Sequence, residues 1–299
     1  MLGAHFLLKY RHQPQDLGIT SIIISSLSLL CLLYRICLQF CTNQFNTAPA
    51  RIQFHLVVAL SIATLVQLVA PLLVSNSTAC SIIGGVKYFS FLVSFSFMLL
   101  VTGDIGWTMR ADHMCVPDDP RRSVTKQVLI TWLIPLIISM CVISLDHLPI
   151  PSIFRPKFGG CACWFLNRYA WFAYFVFSIA TCTIINILLF ITTSISLRKA
   201  FKIAANLQKA CKNINEIIVY GKMFVLVGGT WLFGFLAMAV NMQFMWYVFT
   251  LLNASQGVFL FFVLVVNWKK ITQIICGTNT GQLNENVKAD IIDTPSVNV

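Results

Sequence analysis

Cys80, Cys161 and Cys163 are the residues of this 299-residue chain whose type and placement imply covalent chemistry, because each borders an apolar block. On the oxidising side of a membrane, a bridge from Cys80 to one of the other two would tie a loop to the top of a helix. Spacing leaves Cys161 and Cys163 equal as partners. Cys31, Cys37, Cys141 and Cys182 lie within apolar blocks, where a thiol packs as a small hydrophobe. Cys276 follows the last block and the stretch Trp268-Lys269-Lys270-Ile271, which suits an amphipathic helix on a membrane surface and a palmitoylated thiol. Ionisable groups inside apolar blocks cost several kcal/mol unless paired or hydrated, roughly 2.5 to 3.5 at a helix centre. His55 and Asp104 fall in one layer near the ends of their blocks, so pairing them would neutralise two costly groups. Arg35 and Lys87 stand closer to block ends, from which their stems can snorkel. Asn76-Ser77-Thr78 is a glycosylation sequon in a loop, whereas Asn253-Ala254-Ser255 lies inside an apolar block where no glycan can be added. Trp231, flanked by Gly228, Gly229 and Gly234, could report ligand occupancy by changing rotamer.

The elements that position these residues follow from composition. The chain is 58% hydrophobic and 10% charged, with a mean hydropathy of +0.80, whereas a soluble domain carries about 25% charged residues. Seven blocks are long enough to span a bilayer: Gly18 to Phe40, Ile52 to Val74, Ile82 to Trp107, Gln127 to Leu145, Ala170 to Leu197, Met223 to Val240 and Phe244 to Val266. Their length without strand-like alternation leaves only helices to satisfy the backbone in lipid, so the expected fold is an all-α, polytopic seven-helix bundle. Residues 1–17 then form a short outer segment, 18–266 the membrane domain and 267–299 a short inner tail.

Lys and Arg count fourteen in the inner segments and five in the outer ones if the N-terminus is outside, which is the orientation the positive-inside rule favours. No lysine in the seventh block can hold retinal, and no Ser-His-Asp set, phosphate-cradling Gly loop or metal-ligand cluster is present in the pattern, so neither an enzyme nor a cofactor is expected. The formal charge of +11 is spread over membrane-flanking loops, which points to membrane lipid rather than nucleic acid.

Several motifs, in order, resemble the secretin and adhesion class of G-protein-coupled receptors. His55-Leu56-Val57-Val58-Ala59-Leu60 is similar to that class's second-helix signature, and Trp132-x-x-Pro135 to its fourth-helix motif, with Thr131 and Leu133 in place of two glycines. Thr230-Trp231-Leu232-Phe233-Gly234-Phe235 and Leu252-Asn253-Ala254-Ser255-Gln256-Gly257-Val258-Phe259 resemble the adhesion-type sixth and seventh helices. Gly103-Asp104-Ile105-Gly106-Trp107 looks more like the Methuselah branch.

The resemblance implies a Cys80–Cys163 bridge, the cysteine before Trp164 being the family's partner. It implies a switch at Trp231 with Gly234, and a ligand pocket including Trp164, Asn253 and Gln256. It also implies a polar lock of His55 with a third-helix glutamate, whose place Val101 takes here, leaving Asp104 one turn further on. Phe6, Leu7 and Leu8 stand where the family's tethered agonist would be. A G-protein face of Arg110, Arg198, Lys199 and Lys202 is expected, with a heterotrimeric G protein inside and an extracellular ligand or the tethered peptide outside. The location implied is the plasma membrane. The competing class, a seven-helix channel or chemosensory subunit of opposite topology, predicts an unglycosylated Asn76 and reduced Cys80 and Cys163; a non-signalling truncated receptor is the other alternative.

Overall fold

Apolar blocks as long as a bilayer is thick become helices that overrun it, because polar residues at their ends continue the same backbone hydrogen-bond ladder. The computed structural model describes residues 15–43, 45, 47–111, 120–149, 151–160, 163–203, 229–240 and 243–265; beyond Asp104 in the third helix and beyond Ile195 in the fifth, only the backbone is described. The helices are α1 (Gln15–Cys41), α2 (Ala48–Val69), α3 (Ser77–Ala111), α4 (Pro120–His147), α5 (Phe177–Ile203), α6 (Gly229–Val240), α7 (Gln243–Ala254) and α8 (Gln256–Val265). A 3-10 turn, Ala70–Leu73, extends α2, and a π-helical turn, Trp171–Val176, leads into α5. Five of these helices are each long and apolar enough to cross a membrane, and α7 with α8 makes a sixth, bent by 46°. The expected span over 223–240 is described only from Gly229 onward. The seventh block is thus two helices broken at Ser255, within its polar stretch Asn253-Ala254-Ser255-Gln256-Gly257.

α3 is the axis of the bundle. It packs against α2, α4 and α5, while α1 packs against α2, α7 and α8, and α6 against α7. Hydropathy alone does not rank the helices this way, yet two thirds of the α3 span is buried against 22% for α1. The outward faces of α1 and α4 present Ile22, Ile23, Leu30, Ile130, Leu133 and Ile137, as expected of surfaces solvated by lipid.

Two apolar clusters fill the interior. Near the end where α1 finishes and α2 begins lie Leu32, Ile52, Leu56, Val93, Phe97, Met98 and Leu260. Toward the other end lie Tyr88, Leu92, Phe95, Phe158, Phe165, Phe175, Ile179 and Trp231. This second end also carries the short antiparallel hairpin β1 (Phe158–Gly159) and β2 (Trp164–Phe165), pairing Phe158 with Phe165 and Gly159 with Trp164. It is called the disulfide end below, because Cys80 and Cys163 are bonded there, 5.0 Å apart at Cα.

Small residues set the closest approaches. A Cβ at Gly257 would meet the Ser28 hydroxyl, the Ser28 carbonyl oxygen at 2.7 Å and Leu32 Cγ at 2.8 Å. Glycine there lets α8 lie against α1, and its N–H donates to Ser28 Oγ at 2.8 Å. Thr102 in α3 bonds Asn186 in α5 at 3.2 Å, both buried. Arg35 does not snorkel outward: it is 7% exposed, and its Nε and Nη1 have no hydrogen-bond partner among the described residues.

Candidate functional site

The hairpin is held over the bundle by its own polar groups. Asp146 at the end of α4 accepts from the backbone amides of Lys157 at 2.8 Å and Phe158 at 3.4 Å. The Asn167 amide donates to the carbonyls of Ser152, Ile153 and Arg155 at 2.7 to 2.9 Å, gathering the loop before α5. The disulfide closes this arrangement onto α3, and Cys163 takes a positive φ of 46° to do so. Gly84, one turn below Cys80, lies beneath the hairpin: a Cβ there would come within 2.8 Å of both the Cys163 carbonyl oxygen and the Phe158 ring.

Below the hairpin the aromatic rings form one continuous network. Trp231 of α6 is its hub, with ring centroids 5.5 Å from Phe91, Phe95 and Phe175 and 5.3 Å from Phe249. Trp164 of the hairpin touches Phe91 at 6.0 Å and Phe175 at 4.9 Å. A path of touching rings therefore runs from the loop through α3 and the π-turn to α6 and α7. Each edge-to-face pair contributes about 0.5 to 1.5 kcal/mol beyond area burial. The network prefers one arrangement, and a displaced ring disturbs several neighbours together.

Gly234 and the π-turn position two of these rings. A Cβ at Gly234 would lie 2.9 Å from the Phe249 ring, so glycine brings α6 and α7 close enough for Phe249 to reach Trp231. In the π-turn, the Phe177 N–H bonds the Phe172 carbonyl, five residues back. The Tyr174 carbonyl accepts from the Tyr88 hydroxyl at 3.1 Å and from Ser178 Oγ at 2.6 Å, which fastens α3 to the start of α5.

Of the other residues singled out from the sequence, Gln256 is buried and donates to Thr230 Oγ1 at 2.6 Å, tying the α7–α8 bend to α6 beside Trp231. Asn253 is half-buried two residues before the break. His55 stacks on Phe97 at 5.6 Å, and its Nδ1 accepts from Trp132 Nε1 at 3.4 Å. Among the described residues, His55 is thus hydrogen-bonded to Trp132 and not to Asp104. Phe97 precedes Asp104 by seven residues, about 10 Å along a helix, so the two groups expected to share a layer stand two turns apart. Asp104 is half-buried and makes an interaction of its own.

Arg110, Arg198, Lys199 and Lys202 lie on described backbone at the ends of α3 and α5 opposite the disulfide, but their side chains lie outside the described residues. Phe6, Leu7, Leu8 and Cys276 lie outside them altogether. Asn76 is exposed, and its Oδ1 caps α3 by accepting from the Ala79 amide at 3.1 Å. Sequence reasoning passed over Phe91, Phe95, Phe175 and Phe249, although Lys87, Phe91 and Phe95 recur every four residues as one face of a helix requires.

Similarity to known proteins points the same way. The chain is 25% identical over 216 residues to the G-protein coupled receptor Mth2 of Drosophila yakuba, an alignment covering 67% of this chain and 40% of that protein. It is 26% identical over 282 residues to the adhesion G protein-coupled receptor E5 of Mus musculus, covering 90% of this chain and 32% of the relative. To the adhesion G protein-coupled receptor E2 of Homo sapiens it is 24% identical over 313 residues, covering 99% of this chain and 37% of the relative. The chain thus spans about two fifths or less of the length of these relatives. The family model for the 7 transmembrane receptor (Secretin family) matches residues 15–260, from the first residue of α1 to the middle of α8. With the bridged third helix, the Trp231 hub and the broken seventh span inside that match, the chain belongs to the secretin family of seven-transmembrane receptors.

Proposed function

We propose that this chain is the signalling bundle of a plasma-membrane receptor, taking a ligand at the disulfide end and engaging a heterotrimeric G protein at the opposite end. The observation that carries the reading is the ring path from Trp164 in the hairpin to Trp231 in α6. A ligand that displaces Phe91 acts on Trp231 directly, and one that displaces Trp164 acts on it through Phe91 and Phe175, so it has different contacts in the two arrangements of α6, which a population shift requires. The basic positions Arg110, Arg198, Lys199 and Lys202 at the other end supply the charge expected of a surface for an acidic partner. His55 and Asp104 lie on the way there as separate polar positions of the inner half.

The disulfide supports placing its end outside the cell, where thiols are oxidised. The N-terminus then faces out, because α1 begins on that side, and Asn76 faces the glycosylating compartment. Gln15 stands at the disulfide end of α1, so the preceding Phe6, Leu7 and Leu8 are within chain reach of the hairpin as a tethered agonist.

The test is nucleotide exchange on each Gα class in cells expressing the chain, normalised to surface amount, beside Phe6→Ala and a chain trimmed to begin at Asp16. Basal exchange that both variants abolish supports a self-contained agonist. Exchange that neither variant changes points to an external ligand. A Trp231→Ala variant with unaltered exchange at full surface amount would overturn the switch.

A further inference from the structure

One charge in the network has no role in the reading above. Lys87 sits on α3 one turn before Phe91, and its ammonium lies 5.1 Å from the centroid of the Trp164 ring. Among the described residues no acidic partner or hydrogen-bond acceptor meets the ammonium, and the Trp164 ring lies within cation–π distance of it. A cation held within a helix bundle is costly, and an intramembrane ionisable residue of this kind marks a functional site by default. A Trp face offsets part of that cost by cation–π attraction. It leaves the three N–H donors of the ammonium unused.

The surroundings repeat the sign. The described side chains at the disulfide end include four cations, Lys87, Arg155, Lys157 and Arg168, and one carboxylate, Asp146, already engaged with the amides of Lys157 and Phe158. Positive charge at the end expected to carry little of it calls for an anion from elsewhere. Residues 1–14 carry Lys9 and Arg11 and no Asp or Glu. Phe6 to Leu8 would therefore bring apolar contact and no counter-charge.

The neighbours of Lys87 state what else the ligand must be. Phe91, Trp164 and Phe249 each keep part of their surface exposed, although all three belong to the interior ring network. Trp231, which Phe91 and Phe249 both touch, is buried beneath them. We propose that this site binds an organic anion with an apolar body, its acidic group held by Lys87 beside Trp164 and its body laid over Phe91 and Phe249 against Trp231. The proposal rests on the receptor reading and names the chemical class of its ligand. It also makes the specificity electrostatic: a neutral molecule of the same shape covers the rings and leaves the ammonium unpaired.

The test uses the full chain in lipid nanodiscs, with the Trp fluorescence of the site and the thermal unfolding midpoint as readouts. The probes are dodecanoate, dodecyl phosphate and the neutral dodecanol. Saturable quenching and a raised midpoint are expected for one or both anions. Lys87→Arg keeps the response, and Lys87→Gln weakens half-saturation about tenfold or more, the range of a charge-assisted contact. Carboxylate and phosphate sources are told apart by which of the two probes the wild type prefers. Lys157→Gln, at an exposed position just before the hairpin, leaves binding unchanged.

The proposal is overturned if dodecanol matches the anions, if Lys87→Gln binds them as the wild type does, or if neither anion saturates. The same nanodiscs with added G protein separate the two readings. Lys87-dependent binding without nucleotide exchange sinks the receptor mechanism and leaves the anion site. Exchange that no anion alters, with no anion binding, sinks the anion site alone.

Discussion

Replacing Gly257 by alanine tests whether the contact of α1 with α8 is as close as the structure places it. The new Cβ would overlap the Ser28 hydroxyl, and it would stand 2.7 Å from the Ser28 carbonyl oxygen and 2.8 Å from Leu32 Cγ. The hydroxyl can rotate away, but the carbonyl belongs to α1 and moves only with the helix. Overpacking of this kind costs about 1 to 3 kcal/mol. The separation also lengthens the Gly257 N–H to Ser28 Oγ bond, now 2.8 Å, and an interhelical bond in a membrane protein is worth about 0.6 kcal/mol on average. The expected destabilisation is about 2 to 4 kcal/mol. It is measured by reversible dodecyl sulfate unfolding in mixed micelles with the disulfide intact. Ser28→Ala, which removes the bond without the overlap, should cost about 0.6 kcal/mol. Ser28→Gly should soften the Gly257→Ala effect without abolishing it, since the carbonyl and Leu32 remain. Gly257→Ala within about 0.5 kcal/mol of wild type, the scatter of uninvolved sites, would refute the close contact.

Other outcomes follow from single contacts. Tyr88→Phe and Ser178→Ala both remove donors to the Tyr174 carbonyl. Their effects should be non-additive in a double-mutant cycle, by an amount on the order of 0.5 kcal/mol or more; strict additivity would show that the acceptor is not shared. Trp132→Phe keeps the ring contact with Phe97 and deletes the N–H donated to His55. It should cost about 0.6 to 1.7 kcal/mol and cost nothing further in a His55→Ala background. Asn76→Gln should abolish a glycosidase-sensitive mobility shift and, through loss of the cap on Ala79, lower stability by about 1 kcal/mol. A wild-type chain that shows no shift would place the disulfide end on the wrong side of the membrane.

Apolar block length made the first five helices legible, because the bilayer imposes a minimum that no soluble fold shares. Three features lay beyond that signal. The break at Ser255 falls in the polar stretch Asn253-Ala254-Ser255-Gln256-Gly257, which block length does not register, and there Gln256 bonds Thr230 and Gly257 bonds Ser28. For the bridge, spacing left Cys161 and Cys163 equal, the resemblance implied Cys163, and the structure bonds Cys80 to Cys163. His55 was placed at the right end of its helix, but depth carries no azimuth, and its ring turns to Phe97 and Trp132. Trp231 and Gly234 were legible from motif alone, whereas the rings around Trp231 were not, because Phe is common on both lipid-facing and interior surfaces of such helices.

The π-turn at Trp171–Val176 sets the phase of everything that follows in α5. Buried residues before and within it, Ala170 and Phe175, are five apart, whereas Val176, Ile179, Thr183, Asn186 and Thr193 follow the ordinary helical rhythm. The single added residue offsets the two halves by about 100°, the angle one residue subtends in an α-helix. Phe175 can therefore face the Trp231 hub while Asn186, well down the same rod, meets Thr102. If the turn tightened to α geometry, the far half would rotate relative to the near half without any change in length of the covalent chain. α5 is in this sense a shaft with a slip coupling near one end, and the Tyr174 carbonyl, gripped by Tyr88 and Ser178, is the pin that holds its setting.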